Sequence, residues 1–230
     1  MRPLSIGIGG AHSGSGKTEV ASLLLQRLRG WGAIKYTKTE SYCSIIDDPD
    51  ILSMEGKDTR RLLDSGAARV LWLKSPPHDL SNVLHLSIDR LSDLKGIVVE
   101  GNSAIEFMKP DIIIFISGNN TERIKESAKR ILGMAHAVVI GERQSISLPE
   151  GVKRFDKSPE GKDRLVHYIE EMVAMKEKIR LLLQERATDR KIPCAIARKI
   201  AEELGVSYRE IGNAANELNI KIIACELGCF

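Results

Sequence analysis

Leu4-Ser-Ile-Gly-Ile-Gly-Gly-Ala-His-Ser-Gly-Ser-Gly-Lys17-Thr18 compresses an apolar run, a small-residue loop and the opening of a helix into fifteen residues. Strand, glycine-rich loop and Gly-Lys-Thr in that order form the context a phosphate-binding P-loop requires. Backbone N–H groups of the loop and first helical turn converge on one small volume, where they stabilise phosphate oxygens. Gly10, Ala11, His12, Ser13, Gly14, Ser15 and Gly16 are the expected cradle, and Lys17, Thr18 and Glu19 open the helix beneath it. Lys17 is expected to bring charge to the β- and γ-phosphates and Thr18 to place its hydroxyl on Mg2+. The strict motif has glycine where this chain has Ala11, the smallest possible departure.

Outward from that loop, Val20, Leu23, Leu24 and Leu28 repeat at helical spacing, with Gly30 and Gly32 read as the end of the helix. Residues 33–38 read as a second strand. Residues 39–58 show no clean period and read as a long active-site loop. A short helix over 58–64 is closed by Gly66. A strand over 70–73 stops at Pro76-Pro77, and Leu80, Val83, Leu84, Ile88 and Leu91 mark the next amphipathic helix. Further strands are expected at 97–101, 112–116, 137–140 and, more weakly, 152–155, with a helix over 121–132. Seven strands, several of them continuously apolar, imply a largely parallel sheet covered on both faces. Ligands of such sheets sit at the carboxyl ends of the strands, where the phosphate loop, residues 39–58 and Glu100 converge.

The composition change after Gly161 divides the chain into a P-loop domain at 1–160, a connecting helix at 161–190 and a helix-turn-helix-like module at 191–230. The predicted fold class is therefore α/β, a mostly parallel P-loop NTPase domain with a small, mainly helical carboxyl-terminal module. Leu165, Ile169, Met172, Val173, Lys176, Ile179 and Leu183 share one stripe of the connecting helix. In the module, a helix over 196–204, a Gly205-Val206 turn and a second helix over 208–218 begun by a Ser207–Glu210 capping box precede a closing strand at 221–225. From Lys176 onward ten Lys and Arg stand against eight Asp and Glu. That small excess, with Glu210 and Glu217 on the second helix, favours a protein-contact or homodimerisation module over a DNA-binding one. Tyr208, Arg209, Asn213 and Asn216 are the side chains DNA would meet.

A net charge of +3 is too small to announce a nucleic-acid protein, and no apolar stretch approaches the length of a membrane span. Cys43, Cys194, Cys225 and Cys229 do not make a secreted framework at this length; with the P-loop they point to a cytoplasmic protein without a signal peptide. Cys194 with Cys225-x-x-x-Cys229 offers three soft ligands, but zinc sites ordinarily use four. They read better as small hydrophobes, with residues 227–230 as a hydrophobic anchor.

Glu100 is the strongest acid beyond the loop, because four apolar residues deliver it to the tip of a central strand in the position of a Walker B carboxylate. Asp58 begins a helix and is the second candidate for the metal. Catalysis is thus assigned to Lys17, Glu100 and Asp58, and the metal to Thr18, Asp58 and Glu100. Lys35, inside a strand, is expected to reach an anion at the edge of the site, and Lys57 to neutralise phosphate or substrate charge. Asp47 and Asp48, beside Pro49, read as turn formers. No Asn-Lys-x-Asp sequence selects guanine, so ATP and GTP both remain candidates.

Ser13-Gly14-Ser15-Gly16-Lys17-Thr18, Ile34-Lys35, Gly56-Lys57-Asp58-Thr59-Arg60 followed by Gly66-Ala67, and Val99-Glu100-Gly101 occur in this order. Together they resemble the molybdopterin-guanine dinucleotide biosynthesis protein B family of P-loop proteins, over roughly residues 4–118. The resemblance implies binding of a purine nucleotide, usually GTP, with Mg2+ and weak or partner-dependent hydrolysis. It also implies a protein partner in synthesis or delivery of the molybdenum cofactor. The family commonly has His after the lysine matching Lys35, where this chain has Tyr36. Its acidic and histidine loop residues become Thr39-Glu40-Ser41-Tyr42-Cys43. Both departures fall where a substrate or partner would be read, so a small-molecule kinase or ligase is the alternative, and a nucleotide-controlled DNA-binding regulator a third.

Overall fold

The computed structural model describes residues 2–118, 126–141 and 148–224. Contacts divide the chain into one unit of residues 3–170 and another that runs from Glu171 onward and includes Arg2.

The first unit opens with β1 (Leu4–Gly10), α1 (Lys17–Arg27) and β2 (Trp31–Lys38). β3 (Ser44–Ile46), α2 (Pro49–Leu52), α3 (Asp58–Asp64) and β4 (Val70–Ser75) follow. Next come α4 (Leu80–Arg90), β5 (Gly96–Glu100), α5 (Asn102–Met108) and β6 (Ile112–Ile116). The unit continues with α6 (Glu126–Gly133), β7 (Ala137–Ile140), β8 (Lys153–Asp156) and the first half of α7 (Pro159–Arg186). Among the described residues the eight strands form one sheet in the order β3-β4-β2-β5-β1-β6-β7-β8. All neighbours are parallel except β3, which runs antiparallel to β4.

β1, β5 and β6 are buried at every position, which explains their lack of polar alternation. Ile8, Val99 and Ile114 are fully enclosed, each contributing about 1.5–3 kcal/mol of hydrophobic stabilisation. Asp111 ties the start of β6 to β1 by accepting from the Ser5 amide (2.8 Å) and hydroxyl (2.6 Å). β1 lies between β5 and β6, so the crevice where ligands collect in such sheets opens at its carboxyl end.

Several sequence expectations are corrected. Gly32 is not a helix end but the second residue of β2, which begins at Trp31. Residues 39–58 are not one loop: Ile45 and Ile46 pair with Leu73 and Trp72 of β4, and Asp48 caps α2 through the Asp50 and Ile51 amides. A three-residue strand and a one-turn helix are too short to show a period. For the same reason α5 passed unread, its seven residues following Glu100 without a long apolar stripe. The helix expected over 121–132 is described only from Glu126, its first five residues lying outside the described ones.

The second unit takes the remainder of α7, then β9 (Lys191–Pro193), α8 (Cys194–Leu204), α9 (Tyr208–Glu217) and β10 (Lys221–Ile223). β9, which the sequence does not announce, pairs in parallel with β10. Ser207 and Glu210 form the expected capping box. Ile179, Leu183, Ile192, Ile200, Ile211 and Ile220 make a core of their own, with Ala197, Ala201 and Ala215 allowing close approach. Arg180, itself buried, pairs with Glu217 at 2.9 Å and joins α7 to α9. Cys225, Cys229 and the anchor at 227–230 lie outside the described residues. No helix among the described residues is long and apolar enough to cross a membrane.

Candidate functional site

Gly16 is the residue before α1 and holds φ 101°, a backbone state that costs glycine little. It offers no side chain to cap the helix, so the first N–H groups of α1 keep their capacity for an external anion. Ala11 is 2 % exposed, packs into the core under the loop and donates its amide to Ile116 at 3.0 Å. Its φ is not positive, so alanine takes the place of glycine there without backbone strain. Lys17 folds back over the loop, donating to the His12 carbonyl at 2.9 Å and reaching Ser15 Oγ at 3.5 Å. His12 Nδ1 lies 2.7 Å from the Ser13 carbonyl, and its ring rests against Gly118 at the end of β6, where a Cβ would strike it.

The parallel register carries the acid and the second lysine to the same place. Glu100 stands opposite Ile8 of β1 on one side and Lys35 of β2 on the other. Glu100 Oε2 accepts the Thr18 hydroxyl at 2.8 Å, and Oε1 lies 2.5 Å from Lys35 Nζ. The same ammonium is 2.7 Å from Asp58 Oδ2, presented by the first residue of α3. Side-chain exposure is 3 % for Glu100, 17 % for Lys35 and 44 % for Asp58, so the group runs from the sheet interior to the cleft. Burial works to raise the Asp58 pKa, but the hydrogen bond and charge of Lys35, the Thr18 hydroxyl and Arg61 together hold it below the usual carboxylate range.

These residues line a cleft of about 680 Å³ that runs from the phosphate loop past Lys35 and Asp58 to Lys38 and Arg61. Gly10, Ala11, His12, Ser13, Gly14, Gly16, Lys17, Thr18 and Glu19 form its loop side. Ser15 is 7 % exposed and turns its hydroxyl toward Gly10. Glu19 pairs with Lys162 at 2.7 Å on the rim. Lys57 is not brought to the cleft wall. Its ammonium lies over the Trp72 ring at 4.8 Å and contacts Met54 Sδ, an arrangement in which the cation is stabilised by the ring face. Asp47 pairs with Arg90, away from the cleft.

The chemistry of Thr18, Glu100 and Asp58 suits a hard divalent cation. One hydroxyl and two carboxylates are a partial set of oxygen donors, of the kind Mg2+ completes with phosphate oxygens and water. Among the described residues no group of three or more His, Cys, Asp or Glu side chains forms a metal cage without such help.

Sequence reasoning passed over Asn102. Its Oδ1 accepts the Gly10 amide at 2.9 Å and its Nδ2 donates to the Gly10 carbonyl at 3.0 Å, clamping the start of the phosphate loop to the end of β5. The intervening Gly101 has φ 137°, and a Cβ there would press on Tyr36 at 3.2 Å. The Gly-Asn pair after a strand-end acid was the available signal. Tyr36, one of the departures from the resembled family, is 9 % exposed and donates to the Ser75 carbonyl at 3.0 Å, so it props β2 against β4 beside the cleft. Burial pushes its phenol pKa up.

A parallel sheet with this loop after β1 and an acid at the end of β5 defines an α/β P-loop NTPase fold with a smaller, mainly helical unit. Solved structures agree at the level of fold. HypB from Helicobacter pylori in complex with nickel superposes with a TM-score of 0.50 at 13% identity, covering 75% of this chain and 88% of that one. The hydrogenase maturation factor HypB from Archaeoglobus fulgidus gives 0.50 at 13% identity, covering 74% and 90%. No family model and no curated protein matches the chain.

Proposed function

We propose that this chain binds a purine nucleoside triphosphate with Mg2+ and hydrolyses it slowly, as an adapter that works with a protein partner in molybdenum cofactor biosynthesis. The observation that carries the nucleotide part is the Thr18–Glu100 hydrogen bond of 2.8 Å directly beneath the phosphate loop, which brings the Walker A hydroxyl and the strand-end acid to one point. Bound Mg2+ supplies charge that neutralises the β- and γ-phosphates. Lys17, released from the His12 carbonyl, stabilises charge on the transferring phosphoryl group. Thr18, Glu100 and Asp58 would hold the metal, and Glu100, held by a buried strand, would orient the attacking water. Positioning and fixed charge are most of what such a site supplies.

The adapter role rests on the four matched sequence stretches. HypB, named as a hydrogenase maturation factor, shares only the fold. The cleft favours one second reading. Its extension to Lys38 and Arg61 leaves positively charged wall beyond the phosphate loop, suited to an anionic acceptor in a small-molecule kinase.

Isothermal titration with ATP and GTP, each with Mg2+, tests the nucleotide reading and decides the base. Wild type is expected to bind at least one of them, and Lys17→Ala to lose about 100-fold or more in affinity while its far-ultraviolet spectrum stays native. A folded wild type that binds neither nucleotide overturns the proposal. Turnover raised by a molybdenum-cofactor protein supports the adapter; turnover raised only by a small metabolite supports the kinase.

A further inference from the structure

Lys35 stands at the centre of the oxygens assigned to the metal. Its Nζ is 2.5 Å from Glu100 Oε1 and 2.7 Å from Asp58 Oδ2, and the second Glu100 oxygen holds the Thr18 hydroxyl. The groups read as a divalent-cation site therefore already converge on a positive charge, and that charge belongs to the chain. Strand register puts it there, because Lys35 and Glu100 are direct partners across β2 and β5. A lysine only 17 % exposed in a central strand needs compensation, and so do carboxylates brought this close to each other. Each solves the problem of the other.

A divalent ion on those same oxygens changes the balance. The carboxylates cannot give full coordination to it while holding the ammonium at hydrogen-bond distance, and two cations a few ångströms apart repel each other. The arrangement becomes favourable when new negative charge arrives with the ion. Lys35 and Lys17 line the same cleft, so a phosphate chain seated on the loop gives Lys35 an anion to turn to by rotation of its own side chain.

We propose that Lys35 is a built-in counter-cation for Glu100 and Asp58 that yields the two carboxylates only when a phosphate chain enters, so that the divalent cation is admitted with nucleotide and not before it. This rests on the nucleotide and Mg2+ reading above. It also explains why a lysine is tolerated at this point of β2: the nucleotide-free site is closed to free metal without being distorted, because its carboxylates stay aligned on an internal charge.

The test is a titration of nucleotide-free protein with Mn2+, following free Mn2+ by electron paramagnetic resonance. Wild type is expected to leave Mn2+ free into the millimolar range and to bind it once a non-hydrolysable triphosphate is present. Lys35→Met is expected to bind Mn2+ without nucleotide at least about tenfold more tightly than wild type. Lys35→Met combined with Glu100→Gln should lose that gain. Equal Mn2+ affinities for nucleotide-free wild type and Lys35→Met overturn the proposal. Tight nucleotide-free binding by wild type overturns it too, a result that stands even if Lys35→Met fails to fold. If wild type binds Mg2+-nucleotide but the Mn2+ affinities are equal, only the role of Lys35 falls. If wild type binds neither ATP nor GTP, the nucleotide reading falls first.

Discussion

In the unit of residues 3–170, Lys35, Asp58 and Glu100 meet at the carboxyl edge of a parallel sheet. In the unit from Glu171 onward the buried charged side chain among the described residues is Arg180, matched to Glu217 between two helices. The first set faces a cleft and shares one ammonium between two acids; the second holds Glu217 and the Arg2 carbonyl on one guanidinium beside a helical core. The difference lies in what surrounds the charge. Strand ends and a helix N-terminus leave backbone N–H groups and carboxylates directed at a common volume, so the charges there can exchange partners with a ligand. Between α7 and α9 the backbone is satisfied within the helices and the pair is a packing element. Unpairing Lys35 therefore alters a binding site, and unpairing Arg180 alters stability.

The largest effect that would break this comparison concerns Glu100. Glu100→Gln retains size and the contact with Thr18 but removes charge, so nucleotide should still bind while turnover falls by roughly 10- to 1,000-fold. Single-turnover hydrolysis with matched nucleotide titrations measures it. Wild-type turnover with unchanged Mg2+ dependence would make Glu100 only a strand end and move the test to Asp58.

Arg180→Met should act in the other unit alone. It removes the guanidinium partner of Glu217 and a donor to the Arg2 carbonyl; because Glu217 is a third exposed, the cost is expected at about 1–3 kcal/mol, below that of breaking a fully buried pair. Hydrogen exchange should quicken in α8 and α9 with nucleotide affinity unchanged. A loss of nucleotide affinity equal to that of Lys17→Ala would show that the two regions are not separable in this way.

Acid stability sharpens the first region further. The Asp58 pKa is depressed in the folded chain, so its contribution is present above the ordinary carboxylate value near 4 and is lost as pH falls through the lower folded value. Asp58→Asn should flatten the acid limb of the stability curve below about pH 4, the effect being modest because Asp58 is nearly half exposed. Denaturant midpoints from pH 2 to 6 read this out, and identical acid limbs would remove Lys35–Asp58 as a stabilising pair.

The smallest change is Gly212→Ala. Gly212 sits within α9 with no positive φ and open space where a Cβ would go, so alanine should stabilise the second unit by about 0.5–1 kcal/mol. A destabilised variant in a melting experiment would mean that the bare face of this helix is needed by something other than solvent.

Strand–loop–helix at 4–18, the buried runs ending at Glu100 and Ile116, and the Ser207–Glu210 box were all legible because each is a local pattern. Backbone geometry and hydrophobic period are set by neighbours in the chain, so composition and spacing suffice to place them. β3 and β9 were not legible, since pairing with another strand is what holds them extended, and α2 was not because one turn is too short to show a period. Of the site, the amino-acid sequence by itself determined the phosphate loop and the acid at the end of a central strand. Only the tertiary structure decided that Lys35 would lie between Glu100 and Asp58, that Asn102 would clamp Gly10, and that Lys57 would turn to Trp72 instead of the cleft. Register between β2 and β5 set Lys35 beside Glu100, and the seating of α3 and α5 on the sheet made the other choices, joining residues as far as 92 positions apart whose proximity no local periodicity encodes.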